Sequence, residues 1–182
     1  MAEDDVLLVR QSLAGDEASK RRLVERYQGA VFGLCYRMLG QREDAEDVAQ
    51  DSILRAFRSL SGWDQERSFK PWILAIAANR CRTFLEKRSR QPVNASEAVV
   101  NLAEAANVET TDVAEELNIA LGKLREEYRT CFVLFYVQEL SCAQIGEILS
   151  CPQGTVKTWL HRARKELAGH LQRRGVAPSV ES

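Results

Sequence analysis

One stretch constrains this 182-residue chain more than any other: Ser141 to Leu167, SCAQIGEILSCPQGTVKTWLHRARKEL. Ser141, three residues ahead of Gln144, makes a capping-box pattern, and Ile145, Ile148 and Leu149 then share one helical face. Pro152 disfavours helical geometry in Cys151 yet suits the first turn of a new helix, so the spacing predicts two helices with a tight turn between them. Along the second, Val156, Leu160, Ala163 and Leu167 form a stripe for burial. The opposite face then carries Gln153, Thr155, Lys157, Thr158, His161, Arg162 and Lys165. This is a helix-turn-helix whose second helix bears long polar and cationic side chains, suited to a DNA major groove. An ordinary helical hairpin with a solvated basic face has the same pattern, and spacing alone leaves both readings open.

Charge is segregated along the chain. The total is only −1, yet Pro152 to Arg174 holds six cations against Glu166 alone, a local +5. No run approaches the length of a membrane span, and Met1-Ala2-Glu3-Asp4-Asp5 is acidic where a secretory leader is basic, so the protein is expected in the cytoplasm without membrane insertion. Cys35, Cys81, Cys131, Cys142 and Cys151 contain no Cys-x-x-Cys pair, and an odd count suits reduced, mostly buried thiols. With His161 and His170 the only histidines, no metal site and no cofactor are expected.

Taken in order, the chain reads as helices throughout. A short amphipathic segment, Val6 to Leu13, ends at Gly15. Asp16 then caps a long helix in which Leu23, Tyr27, Val31, Leu34 and Met38 recur at helical spacing as far as Gly40. From Arg42 a third helix buries Ala45, Val48, Ala49, Ser52, Ile53, Ala56 and Phe57. Its other face aligns Asp44, Asp47 and Asp51, like charges that repel locally, and a solvated surface and a dock for a basic partner account for them equally. A loop from Gly62 to Ser68 precedes a fourth helix that runs from Phe69 to about Arg88.

Arg67 to Arg90 carries seven cations, among them Arg67, Lys70, Arg80, Arg82 and Lys87, against Glu86 alone. A basic helix beside an aromatic loop can hold phosphates by charge and stack an unpaired base. Phe69 and Trp72 could equally be core anchors, and Trp72 reads mainly as one, which leaves Trp63, in the loop, as the better aromatic for nucleic acid. Gln91 to Glu116 has six acidic residues and no basic one, the composition of a flexible linker. Helical periodicity resumes at Val113 and continues through Leu124 and then Cys131 to Val137, making the C-terminal module a four-helix unit. The expected architecture is therefore all-α: two small helical domains, residues 1–92 and 113–174, joined by a flexible acidic linker, 93–112, and followed by a tail, 175–182.

The order of these parts is distinctive. DAEDVAQDSILRAF, an aromatic loop, SFKPWILAIAANRCRTFLEKRSR, an acidic linker and TVKTWLHRARKEL together resemble a bacterial RNA polymerase sigma factor of the sigma-70 family, in its small extracytoplasmic-function group. The resemblance spans about residues 5 to 172. It implies core RNA polymerase as partner, through its β′ clamp and β subunits, with Asp44, Asp47 and Asp51 where the clamp contact falls. It implies promoter DNA as the second partner. Trp63, Asn79 and Thr83 occupy base-contact positions for the melted minus-ten strand, and Lys157, Thr158, His161 and Arg162 match positions that face the minus-thirty-five duplex. Members of the family are often held by an anti-sigma factor, which the resemblance adds as a third partner. A 20-residue linker reaches ~70 Å at ~3.5 Å per residue, more than the ~50 Å between two elements one and a half helical turns apart.

A helix-turn-helix regulator that acts on an operator without joining polymerase is the rival reading, and it leaves the basic, aromatic N-terminal block without a role. No Gly-x-x-x-x-Gly-Lys-Ser/Thr loop, metal-ligand cluster or histidine placed as a base suggests an enzyme.

Overall fold

The structure, a computed structural model, describes residues 2–90 and 112–174. The expected linker, apart from Asp112, and the expected tail lie outside the described residues. Those described form eight α-helices and no strand.

The N-terminal unit consists of α1 (Ala2–Leu13), α2 (Glu17–Leu39), α3 (Arg42–Arg58) and α4 (Phe69–Arg90), with a 3-10 turn, Leu60–Gly62, between the last two. Asp16 starts α2 by accepting hydrogen bonds from the amides of Ala18 and Ser19, and Gly40 ends it in a left-handed conformation (φ 79°) that a side chain would strain. The stripe expected on α2 is buried in full. In α1 the burial falls on Leu8 and Val9, whereas Leu7 and Leu13 are exposed. What pins α1 is polar: Asp5, almost fully buried, accepts from the Tyr27 hydroxyl at 2.6 Å and pairs with Arg26 at 2.5 Å. Burial first, and then the hydrogen bond to Asp5, raises the pKa of Tyr27 well above its ordinary value, so the phenol stays protonated as the donor. Phe69 centres the aromatic part of the core, with ring centroids 5.0 Å from Tyr27, 5.2 Å from Trp63 and 5.2 Å from Trp72.

The C-terminal unit consists of α5 (Asp112–Gly122), α6 (Glu126–Phe132), α7 (Cys142–Leu149) and α8 (Gln153–Arg173). Where periodicity predicts one continuous helix through Val137, α6 gives way to a π-helical turn, Val133–Val137. The turn closes with Gln138 N–H donating to Val133 O at 3.0 Å, and Glu139 follows in the left-handed region (φ 59°). Ile145, Val156, Leu160, Ala163 and Leu167 are buried as their spacing demands. Fully burying side chains of the leucine and isoleucine kind contributes about 1.5–3 kcal/mol each, which seats α8 firmly.

The two units are packed together. α2 touches α5, α6 and the π turn, while α4 touches α7, and the buried apolar residues form one continuous cluster. Two polar side chains cross the boundary: Gln138, buried, donates to Ala30 O at 3.1 Å, and Arg129, half-buried, donates to Met38 O at 2.8 Å. Met38 lies in the last turn of α2, where carbonyls have no partner within the helix, so Arg129 supplies both the missing donor and a cation at the negative end of the helix.

Candidate nucleic-acid interface

The helix-turn-helix is built as its sequence requires. Ser141 and Gln144 form a reciprocal capping box at the start of α7. Ser150 ends that helix in the left-handed region (φ 53°), and Cys151 N–H closes on Gly146 O at 2.9 Å. Gly146 permits this approach, because a Cβ there would stand 2.7 Å from Cys151 O.

With the stripe of α8 buried, Gln153, Lys157, Thr158, His161, Arg162 and Lys165 are exposed and Thr155 is half-buried. Thr158 directs its hydroxyl to Gly154 O at 3.0 Å. Arg162 donates to the Tyr128 hydroxyl at 3.0 Å, a bond that raises the pKa of its guanidinium further. The helix therefore presents a row of donors on a rigid seat, and Arg162 is steadied by a neighbouring helix.

The loop and α4 are placed differently. Trp63, expected as an exposed stacking face, is 95% buried: its ring meets Phe69 edge-on, and its Nε1 has no hydrogen-bond partner. Trp72, expected as a core anchor, is the half-buried one. Loop position misleads here because Phe69, from α4, packs against the indole and is itself backed by Tyr27 of α2. Asn79, Thr83 and Lys87 follow at spacings of four on one face of α4, with the Thr83 hydroxyl bonded to Asn79 O at 2.9 Å. Lys70 is half-buried near the start of the helix.

The arginines in this region already have partners. Arg80 donates to Asp51 at 2.6 Å, Arg82 faces Glu126 at 3.4 Å, and Arg67 reaches Glu147 at 3.1 Å. Glu126 opens α6 and Glu147 lies on α7, so both carboxylates come from the C-terminal unit. Between the units a cavity of about 630 Å³ is lined by Trp63, Arg67, Trp72, Gln144, Glu147 and Ile148.

The acidic face of α3 is less repulsive than its sequence suggests. Asp44 pairs with Arg88 at 3.3 Å, and Asp51 pairs with Arg55 at 2.9 Å besides Arg80. Partial burial works against the charge of Asp51, but the hydrogen bonds from Arg55 and Arg80 prevail and hold its carboxyl below the usual range. Asp47 is exposed and has no ion pair among the described residues.

Comparison with known proteins bears directly on these two faces. Residues 23–91 match the model of Sigma-70 region 2, and residues 114–167 match that of Sigma-70, region 4. The ECF RNA polymerase sigma factor SigW of Bacillus subtilis is 35% identical over 179 residues, covering 90% of this chain and 95% of that protein. The chain belongs to the ECF RNA polymerase sigma factors. The ECF RNA polymerase sigma-E factor of Haemophilus influenzae is 31% identical over 187 residues, covering 94% and 98% of the two chains. In fold, this sigma factor matches the sigma factor RpoE of Bartonella quintana, solved in complex with the anti-sigma factor NepR, at 23% identity and a TM-score of 0.72 over 84% of this chain and 96% of that one.

As an RNA polymerase sigma factor the chain acts with core polymerase in transcription initiation, and no observation favours the rival operator-binding regulator. No described helix of this sigma factor is long and apolar enough to cross a membrane, and no metal-ligating cluster occurs among its described residues. Sequence reasoning did not single out Glu126, Arg129, Gln138 or Glu147, the side chains that join its two units. Gln138 carried a signal, as a polar residue closing the apolar run Phe132 to Val137.

Proposed function

We propose that this sigma factor works through three separate faces. The acidic face of α3, with Asp44, Asp47 and Asp51, docks on a basic surface of the β′ clamp, and Asp47 is the carboxylate free to do so. The face of α4 with Asn79, Thr83 and Lys87, together with Lys70 and the Arg67, Arg80 and Arg82 guanidiniums, takes the melted minus-ten strand. Trp63 serves there by shaping the loop from beneath. The exposed face of α8, Gln153, Thr155, Lys157, Thr158, His161, Arg162 and Lys165, reads the minus-thirty-five element as duplex.

One observation carries this reading: α8 buries its whole apolar stripe and leaves its donor row in solvent, the posture of a major-groove helix. Arginine placed there can make a bidentate contact to guanine, whereas lysine is more readily satisfied by phosphate. The chain contributes specificity and strand separation in the cytoplasm, and the nucleotide chemistry belongs to polymerase. An anti-sigma factor completes the partners; the Bartonella quintana RpoE, which shares this fold, is held by one.

Run-off transcription with core polymerase on a promoter library tests the proposal. Added chain should select a small set of templates sharing two spaced elements, and Lys157→Ala should weaken that selection. Transcription no different from core polymerase alone would overturn it.

A further inference from the structure

The first helix is fastened in an unusual way for an element at the end of a chain. Leu8 and Val9 are its buried hydrophobic side chains, while Leu7 and Leu13 stand in solvent, so a small apolar area fixes its position. The rest of its anchor is directional. Asp5, 7% exposed, accepts from the Tyr27 hydroxyl at 2.6 Å and from Arg26 at 2.5 Å, and Arg26 also pairs with Asp4. Taking a carboxylate out of water to meet a guanidinium adds little net stability, because desolvation offsets the attraction. It does select one register, where a purely apolar contact could slide.

That register aims α1 at the loop ahead of α4. Arg10 follows Asp5 by about 7.5 Å along the helix axis, and its Nε donates to Gln65 Oε1 at 2.8 Å. Gln65 lies at the tip of the loop, in a turn closed by Arg67 N–H on Asp64 O and by Glu66 N–H on Asp64 Oδ1, both at 3.0 Å. α1 also touches the 3-10 turn at the root of the loop. Beside that root Trp63 packs on Phe69, and Phe69 on Tyr27, whose hydroxyl Asp5 holds. One helix therefore reaches the loop at both ends, its root through two rings and its tip through one hydrogen bond.

We propose that α1 positions the strand-capturing loop: Asp5 acting through Tyr27 and Phe69, and Arg10 acting through Gln65, are positioning residues that hold Trp63 to Arg67 in the form that receives the melted minus-ten strand. The part in strand capture rests on the function proposed above for Arg67 and its neighbours, while the hold on the loop stands without it. A loop shaped beforehand has less ordering to do when the strand arrives. Release of α1 should thus slow strand separation and leave the binding of core polymerase unchanged.

Trp63 itself reports the hold. In the full chain carrying Trp72→Phe and Trp159→Phe it is the single tryptophan, because the sequence has three. Combining Arg10→Ala with Tyr27→Phe should shift its emission to the red and raise acrylamide quenching by about 2-fold or more, as local opening exposes the indole. Tyr27→Phe keeps a ring against Phe69, and circular dichroism checks that the helices persist. Should the double variant unfold, Arg10→Ala and Gln65→Ala, each altered at an exposed position, carry the test with a smaller rise in quenching.

Strand capture is tested in holoenzymes of the otherwise wild-type chain, on a promoter selected from the library. Arg10→Ala and Gln65→Ala should each give about 3- to 10-fold less transcript from the duplex and regain it on a template mismatched across the minus-ten region. Arg10→Lys, which keeps a donor, should recover part of the loss. Quenching at the wild-type level in every variant would overturn the hold on the loop. A loosened loop with wild-type transcription would overturn its part in strand capture. A defect in Arg10→Ala with none in Gln65→Ala would make Arg10 a phosphate contact in its own right and refute its positioning role. Arg67→Ala serves as the separate check on the underlying reading: wild-type opening by that holoenzyme would sink the assignment of the loop to the strand, whatever the quenching shows about α1.

Discussion

The two basic surfaces of this chain have similar charge and opposite circumstances. On α8, cations stand in solvent above a buried stripe, and the hydrogen bond from Arg162 to Tyr128 orients the guanidinium without neutralising it. Around α4, Arg67, Arg80 and Arg82 each meet a carboxylate. Net charge counted along a sequence therefore measures the capacity of a face for phosphate and says nothing about whether that capacity is available. Availability is a tertiary property, decided here by Asp51 and Asp64 within the N-terminal unit and by Glu126 and Glu147 from outside it.

The largest effect that separates the surfaces is expected at Trp63. Because its indole is packed against Phe69, Trp63→Ala should destabilise the N-terminal unit by about 3–5 kcal/mol. Asn79→Ala, on the exposed face, should leave stability within about 0.5 kcal/mol. Urea unfolding compares the two. In transcription, the Asn79→Ala defect should recover on a template already mismatched across the minus-ten region; equal unfolding of both variants would mean that Trp63 is no part of the core.

Next in size is Gly146→Val. Its Cβ would meet a backbone carbonyl that cannot rotate away, so the turn must shift, at about 1–3 kcal/mol. Upstream duplex binding should fall while α1 to α4 unfold as before, which hydrogen exchange resolves unit by unit.

Comparable in energy but confined to binding, Arg162→Ala should lose about 1–3 kcal/mol of discrimination at one base position. Tyr128→Phe, which removes only the steadying hydroxyl, should lose part of that. Lys157→Ala should weaken binding to all sequences and lower the salt dependence. Transcription from single-base variants of the upstream element decides; a uniform loss for Arg162→Ala would reduce it to a phosphate contact like Lys157.

The smallest effects belong to the acidic face. Asp51→Lys should cost up to about 1 kcal/mol, since it strands Arg80, whereas Asp47→Lys should cost almost nothing. Both should impair co-purification with core polymerase, and wild-type recovery of the Asp47→Lys protein would remove that carboxylate from the docking face. The folded pKa of Asp51 is depressed, so its small stabilising contribution is complete above the ordinary aspartate pKa of about 3.9 and disappears as pH falls through the lower, folded value. Thermal melts from pH 5 down to pH 2 should show this contribution vanish in wild type and be absent in Asp51→Lys.

The sequence disclosed these elements unevenly, for physical reasons. Helices with one apolar stripe, such as α2 and α8, were legible because a period of 3.6 with polar flanks has one solution, and Asp16, Gly40 and Ser141 mark ends by local hydrogen bonding. The π turn was not legible, since Phe132 to Val137 is apolar on every side and no face distinguishes one register from another. The α8 donor row could be read in full for the same reason as its stripe. Trp63 could not, because its burial depends on how the loop folds back onto Phe69, whose ring is backed by Tyr27 from a distant helix. The ion pairs of Arg67 with Glu147 and of Arg82 with Glu126 join residues far apart in the chain, and no short-range pattern encodes them, whereas the longer 3.8 Å pair of Arg67 with Asp64 is local.

The seam between the units also has an asymmetry of heredity. Arg129 and Gln138 contribute side chains, but what they grasp on α2 is main chain, the carbonyls of Met38 and Ala30. Any residue type offers the same oxygen. Substitutions along the outer surface of α2 can therefore accumulate without erasing the acceptors, provided bulk does not block the approach; even at Gly33 an added methyl would stand 4.0 Å from the Gln138 amide, an ordinary contact, and 3.3 Å from the movable end of Arg37. Across the seam the tolerance is far narrower, for replacement of Arg129 or Gln138 by a shorter or apolar residue deletes the donor outright. One helix is free to diversify its surface, and its partner carries the whole informational load of keeping the pair matched.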